Sequence, residues 1–142
     1  MKPRGIGRGR VVISAGAIAA IVGCFGTWWT IGGTVTTRLS GNAFDGVGAL
    51  TFVASVLMIA LVLLPYATRS GESVLDRKVT YVALAALAVG AFLVRVVEIV
   101  GLPGVGLTPE QVPGLYVTGA GLAVIAWGVG ELLGEPSRRG SY

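Results

Sequence analysis

Four long apolar stretches leave this chain very few folds: Val11–Ile31, Val47–Tyr66, Val79–Val100 and Gly114–Leu133. Each is close to the roughly 20 residues that a helix needs to cross the hydrocarbon core of a bilayer. Backbone N–H and C=O groups find no water there, so only helices or closed barrels can span, and runs of this length without alternation read as helices. The expected fold is an all-α integral membrane protein, a single domain over residues 1–142 built as a four-transmembrane-helix bundle. Composition agrees: 54% of the residues are hydrophobic and 13% charged, against about 25% charged in an ordinary soluble domain.

The charges orient the bundle. Lys2, Arg4, Arg8 and Arg10 precede the first stretch, Arg69, Arg77 and Lys78 separate the second from the third, and Arg138 and Arg139 follow the fourth, so nine of eleven basic residues fall on one side. Basic residues accumulate on the cytoplasmic side of spans, which puts both termini and the 69–78 connection inside and the first and third connections outside. The Gly- and Arg-rich N-terminal tail then serves as an orientation signal, and no nucleic-acid partner is expected despite a net charge of +4. Membrane lipids are the expected surroundings.

The inventory excludes much chemistry. With no histidine, imidazole-ligated haem, His-based zinc sites and Ser-His-Asp hydrolysis are ruled out. The single cysteine, Cys24, can form no internal disulfide and no dithiol relay. No metal, no cofactor and no enzymatic activity is expected. Ile21-Val22-Gly23-Cys24 has the form of a lipoprotein cleavage box after a basic segment and an apolar run. The apolar run, however, continues through Phe25, Trp28, Trp29 and Ile31 as a full span would, so a span is the preferred reading and lipidation of Cys24 is left open.

Arg95 and Glu98 are the opposite-charge pair inside a stretch. Charges at membrane depth are costly and usually have a partner or a task. Three residues apart on a helix they share a face. Helical side chains tilt toward the N-terminus, which is cytoplasmic here, so Arg95 is expected to aim toward the bilayer centre, while Glu98 lies near a C-terminus whose dipole disfavours it. Asp45, which could cap the second helix, Glu110 and Thr51 are possible companions. Such a pair suits a clasp between helices or subunits better than a proton relay, which needs a carboxyl that alternates between charged and neutral forms.

Small residues four apart mark expected close-packing faces: Ala15, Ala19 and Gly23 in the first helix, with Gly16, Ala20 and Cys24 beside them, and Ala126, Gly130 and Gly134 in the fourth. Trp28 and Trp29 are expected as an interfacial belt at the outer end of the first span. In the first outer connection, Thr34–Leu39 followed by Ser40-Gly41-Asn42 predicts a short extended segment. Thr108-Pro109-Glu110-Gln111 predicts a turn of helix in the second, and Ser73–Asp76 a cap before the third span. Glu131, within a turn of the cytoplasmic end, is expected in headgroup water.

Phe25-Gly26-Thr27-Trp28, with Ser40-Gly41 and Asp45-Gly46 in the following loop, resembles a pattern in small uncharacterised four-span membrane proteins of actinobacterial type. In those a proline often precedes the tryptophan, where this chain has Thr27. The resemblance covers the first span and loop, implies a bacterial plasma membrane and brings no activity with it. A claudin-like layout is similar in outline, without that family's paired loop cysteines. The expected role is a non-catalytic accessory or assembly subunit that packs against other integral membrane proteins or itself. The alternative is a small oligomeric transporter or channel with Arg95 and Glu98 as solute site.

Overall fold

The computed structural model describes residues 7–33, 36–67 and 78–135. Four helices dominate: α1 (Arg8–Phe25), α2 (Gly48–Ala67), α3 (Lys78–Val100) and α4 (Pro113–Gly134). Each is long and apolar enough to cross a membrane. They pack antiparallel in ring order, α1 on α2, α2 on α3, α3 on α4 and α4 back on α1.

The first helix is shorter than its apolar run. It ends at Phe25, Gly26 is extended, and Trp29–Ile31 forms a strand, β1. Aromatic and β-branched side chains from Trp28 to Ile31 suit a pleated, half-buried surface as well as a helix, and hydropathy does not tell the two apart. β1 pairs antiparallel with β2 (Leu39–Gly41), with Trp29 opposite Gly41 and Ile31 opposite Leu39. Its other edge takes β3 (Val105–Gly106) from the α3–α4 connection. A three-stranded sheet thus joins both connections across one end of the bundle, here the sheet end. Of the segment expected to be extended only Leu39 is in a strand, the other strand residues falling where span, turn or loop is expected, and residues 34–35 lie outside the described residues. Gly32 and Gly33, at φ 81° and 118°, let the chain turn back after β1.

The sheet is tied down from below. Thr30, 2% exposed, donates its hydroxyl to the Gln111 carbonyl at 3.1 Å. The Leu115 N–H, an orphan of the first turn of α4, donates to the Thr27 carbonyl at 3.3 Å. Pro113 opens α4 at a position where its missing N–H costs nothing, and residues 108–112 make the expected turn, with the Gln111 and Val112 N–H groups both donating to the Thr108 carbonyl. Pro65 sits inside the last turns of α2. The Ser73–Asp76 cap falls outside the described residues.

The closest packing joins α1 to α4, on a face that takes in the expected Gly16, Ala20 and Cys24 stripe, all three buried and Gly16 and Ala20 lying against Gly121. Gly9, Gly16 and Gly23 of α1 meet Gly128, Gly121 and Gly114 of α4, each set repeating every seven residues. A Cβ on Gly16 would lie 2.7 Å from the Gly121 carbonyl oxygen, and one on Gly121 2.7 Å from the Gly16 carbonyl oxygen. At the ends, a Cβ on Gly9 would reach the Gly128 carbonyl oxygen at 3.1 Å, and one on Gly114 the Gly23 carbonyl oxygen at 2.6 Å. Backbone therefore lies on backbone along the whole seam, which only residues without side chains permit. Of the expected α1 face, Gly23 is buried, Ala19 half-buried and Ala15 exposed; Ala126, Gly130 and Gly134 all point outward. Two helical turns return a residue to the same straight contact line, whereas four residues overshoot one turn, so Ala15 and the Ala126 trio fall off the seam while Gly16 and Ala20 stay on it.

The rest of the core splits in two. Ile13, Ala17, Ala54, Met58, Tyr81, Ala88, Leu122 and Ile125 fill the middle, and Cys24, Trp28, Ala43, Ile99, Val112 and Leu115 form a second cluster under the sheet. The α2–α3 contact carries a polar link, the buried Thr51 hydroxyl donating to the Ala88 carbonyl at 3.2 Å. Ser55 in turn donates to the Thr51 carbonyl at 2.8 Å.

Candidate functional site

Arg95 and Glu98 lie in the last two turns of α3, at the sheet end. Their spacing of three does bring the groups together: Arg95 Nη1 donates to Glu98 Oε2 at 2.9 Å. The two side chains differ in surroundings, Arg95 being 12% exposed and Glu98 45%. Against Arg95 lies Gly46, the joint between the single 3-10 turn at Ala43–Asp45 and α2. A Cβ at Gly46 would sit 3.0 Å from Arg95 Nη1 and 3.2 Å from Cζ, so the guanidinium rests directly on that stretch of backbone. The Nε atom is buried there without a hydrogen-bond partner among the described residues.

Two groups hold the guanidinium. The Glu98 carboxylate comes from one turn further along α3, and the absence of a side chain at Gly46 leaves a place for a flat cation.

The expected companions do not converge on the pair. Asp45 Oδ2 accepts from the Asn42 N–H at 2.7 Å while Asn42 Oδ1 accepts from the Phe44 N–H at 3.0 Å, a reciprocal cap on the 3-10 turn rather than on α2. Glu110 is exposed in the turn before α4, and the Thr51 hydroxyl is committed to α3 backbone deeper in the bundle. The site is therefore a bridge between one helix and the first connection: α3 supplies both charges, and the joint before α2 supplies the seat.

The tryptophans also part company with the expected belt. Trp28 is fully buried, edge-on to Phe92 with ring centroids 5.5 Å apart, and donates its Nε1 proton to the Gly23 carbonyl at 3.0 Å. Trp29 is half-buried in β1. Phe25 and Phe44 are exposed at this level and gather on the half-buried Phe52, with ring centroids 5.2 to 5.7 Å apart. They belong to α1, the 3-10 turn and α2, and sequence spacing gives no signal that joins them.

At the opposite end Glu131 is more engaged than expected. Its Oε1 accepts from Trp127 Nε1 at 2.9 Å, and Oε2 lies 3.5 Å from Arg8 Nε. Lys78 Nζ donates to the Leu133 and Glu135 carbonyls at 3.3 and 2.6 Å, satisfying the C-terminal turn of α4 with a cation. Between α3 and α4, near the sheet end, lies an apolar groove of about 390 Å³ walled by Phe92, Val96, Leu107, Leu115 and Tyr116. The Tyr116 hydroxyl is already bonded to the Leu107 carbonyl at 2.8 Å.

Comparisons with protein-family models, with curated proteins and with solved structures find no match to this chain.

Proposed function

We propose that this chain is a non-catalytic multi-pass protein of a bacterial plasma membrane, with both termini cytoplasmic, serving as an accessory or assembly subunit that packs against other membrane proteins or copies of itself. The observation that carries the reading is small-residue surface that its own bundle leaves unused. Ala126, Gly130 and Gly134 run along the outside of α4, and a Cβ built on Gly130, on Gly134 or on Gly90 of α3 meets nothing within 4 Å. Helices in lipid associate through such close approach, since lipid tails offer apolar surface as good as leucine. The same chain uses that device internally along the α1–α4 seam.

A transport role finds less support in the geometry. Arg95 is seated on Gly46 and paired with Glu98, and the groove between α3 and α4 is apolar. The clasp holds the first connection to α3, a task of shape. Extraction in several mild detergents followed by native mass spectrometry tests the proposal: a stoichiometric second protein or a defined oligomer is expected. A lone monomer in every detergent would overturn it.

A further inference from the structure

The helices of the glycine seam are long enough to cross a bilayer but have little length to spare. From Arg8 to Phe25 α1 rises about 26 Å, and from Glu131 to Pro113 α4 measures about 27 Å at 1.5 Å per residue. The hydrocarbon core is about 30 Å thick. Arg8 lies within 3.5 Å of Glu131 at the first turn of α1 and the last of α4, so these charges mark one boundary of the apolar region. Measured from there, the helical parts of α1 and α4 stop a few ångströms short of the opposite boundary. What stands at that level is the base of the first connection.

That base is apolar and aromatic where it faces outward. Phe25 is 65% exposed, Phe44 41%, and both rings stack on Phe52. Phe44 projects from the 3-10 turn, outside any span, where a water-facing loop has no use for a bare phenyl ring. On the other side of the same turn, Gly46 carries Arg95. Resting on the membrane-spanning arrangement proposed above, we infer that the first connection does not stand in water: its 3-10 turn is seated in the outer leaflet, with Phe25, Phe44 and Phe52 as the anchor among lipid chains just below the headgroups. Arg95 then lies at the same boundary, where its charge meets headgroup oxygen and carboxylate rather than hydrocarbon. The partner of this surface is lipid.

Spin labels at single cysteines in a Cys24→Ala background test this in vesicles of phosphatidylethanolamine and phosphatidylglycerol. A label at Phe44→Cys is expected to collide severalfold more with oxygen, relative to a water-soluble nickel chelate, than one at Glu110→Cys. A label at Leu87→Cys, exposed near the middle of α3, reports on the spans themselves. Nickel dominating at residue 44 while residue 87 stays oxygen-rich overturns the seating and leaves the spans intact. Low access to both reagents at residue 44 means that protein covers it, which also overturns the inference. Nickel access at residue 87 removes the membrane-spanning reading and the seating with it. Phe25→Cys keeps the Phe44 ring and supplies the same comparison if the turn does not tolerate its loss.

Discussion

At Gly46 a missing side chain decides where a charge resides. Arg95 could turn along several directions from its place in α3, and the one it takes lays the guanidinium on bare backbone with Nη1 2.9 Å from Glu98. Removing the cation strands a carboxylate near a helix C-terminus, where the dipole already opposes it. Breaking a fully buried pair costs about 3–5 kcal/mol, but Glu98 is 45% exposed, so Arg95→Ala should cost about 1–2 kcal/mol after screening. Glu98→Gln keeps an acceptor one turn from the guanidinium and should cost about half as much. Thermal unfolding in a single detergent measures both. If the pair acts as a unit, the double variant loses less than the sum of the singles, and strict additivity would show that the two side chains are independent. Trp28 argues the same point about neighbours: an aromatic pair beside a loop reads as an interfacial belt, yet a carbonyl at Gly23 and a ring at Phe92 draw one of the two into the core.

Among the elements, existence and order were legible and ends were not. Runs of about 20 apolar residues announce four helices, because nothing else in a short chain needs them. The end of α1 was hidden, since Trp28–Ile31 is as apolar as the helix before it and the strand is chosen by partners at residues 39–41 and 105–106. Arg95 and Glu98 were legible as a pair; their seat was not, because Gly46 meets them only through tertiary contact. The glycine seam was present in the sequence as a seven-residue period in two helices, but a period shows which residues align, not which helix lies opposite. It yields a sharp contrast. Gly16→Ala or Gly121→Ala puts a methyl within 2.7 Å of backbone oxygen, and should destabilise by about 1–3 kcal/mol as the helices are forced apart. Gly130→Ala, facing open space, should stay within about 0.5 kcal/mol in the isolated chain. Unfolding transitions in the same detergent compare them. Equal losses at residues 16 and 130 would mean that α1 and α4 do not meet along this line.

For the whole molecule, the α1–α4 seam, the shared sheet and the Lys78 cap hold the ends of the bundle in a defined relation, so its placement in a bilayer reduces to one question of sign. The proposed orientation answers it from the sequence, where nine basic residues flank the spans on one side, as the positive-inside bias favours for the cytoplasm. The described part of that side is consistent: Arg8, Lys78, Glu131 and Glu135 gather at one end of the helices, while Arg38, Asp45 and Glu110 belong to the sheet end. The expected result is that a cysteine replacing Glu110 reacts with a membrane-impermeant maleimide in intact cells, whereas one replacing Glu135 reacts only after permeabilisation. Cys24 contributes little background, being fully buried under the sheet. The opposite labelling pattern would invert the orientation and place the sheet in the cytoplasm. A stronger form of the test moves the bias itself: replacing Arg4, Arg8 and Arg10 by Gln while adding three lysines around Glu110 removes basic residues from one side and supplies them to the other. If charge sets the orientation, that variant labels in mixed or reversed fashion. An unchanged pattern would mean that folding of the sheet, with its two connections joined across the bundle, commits the chain before the charges can act.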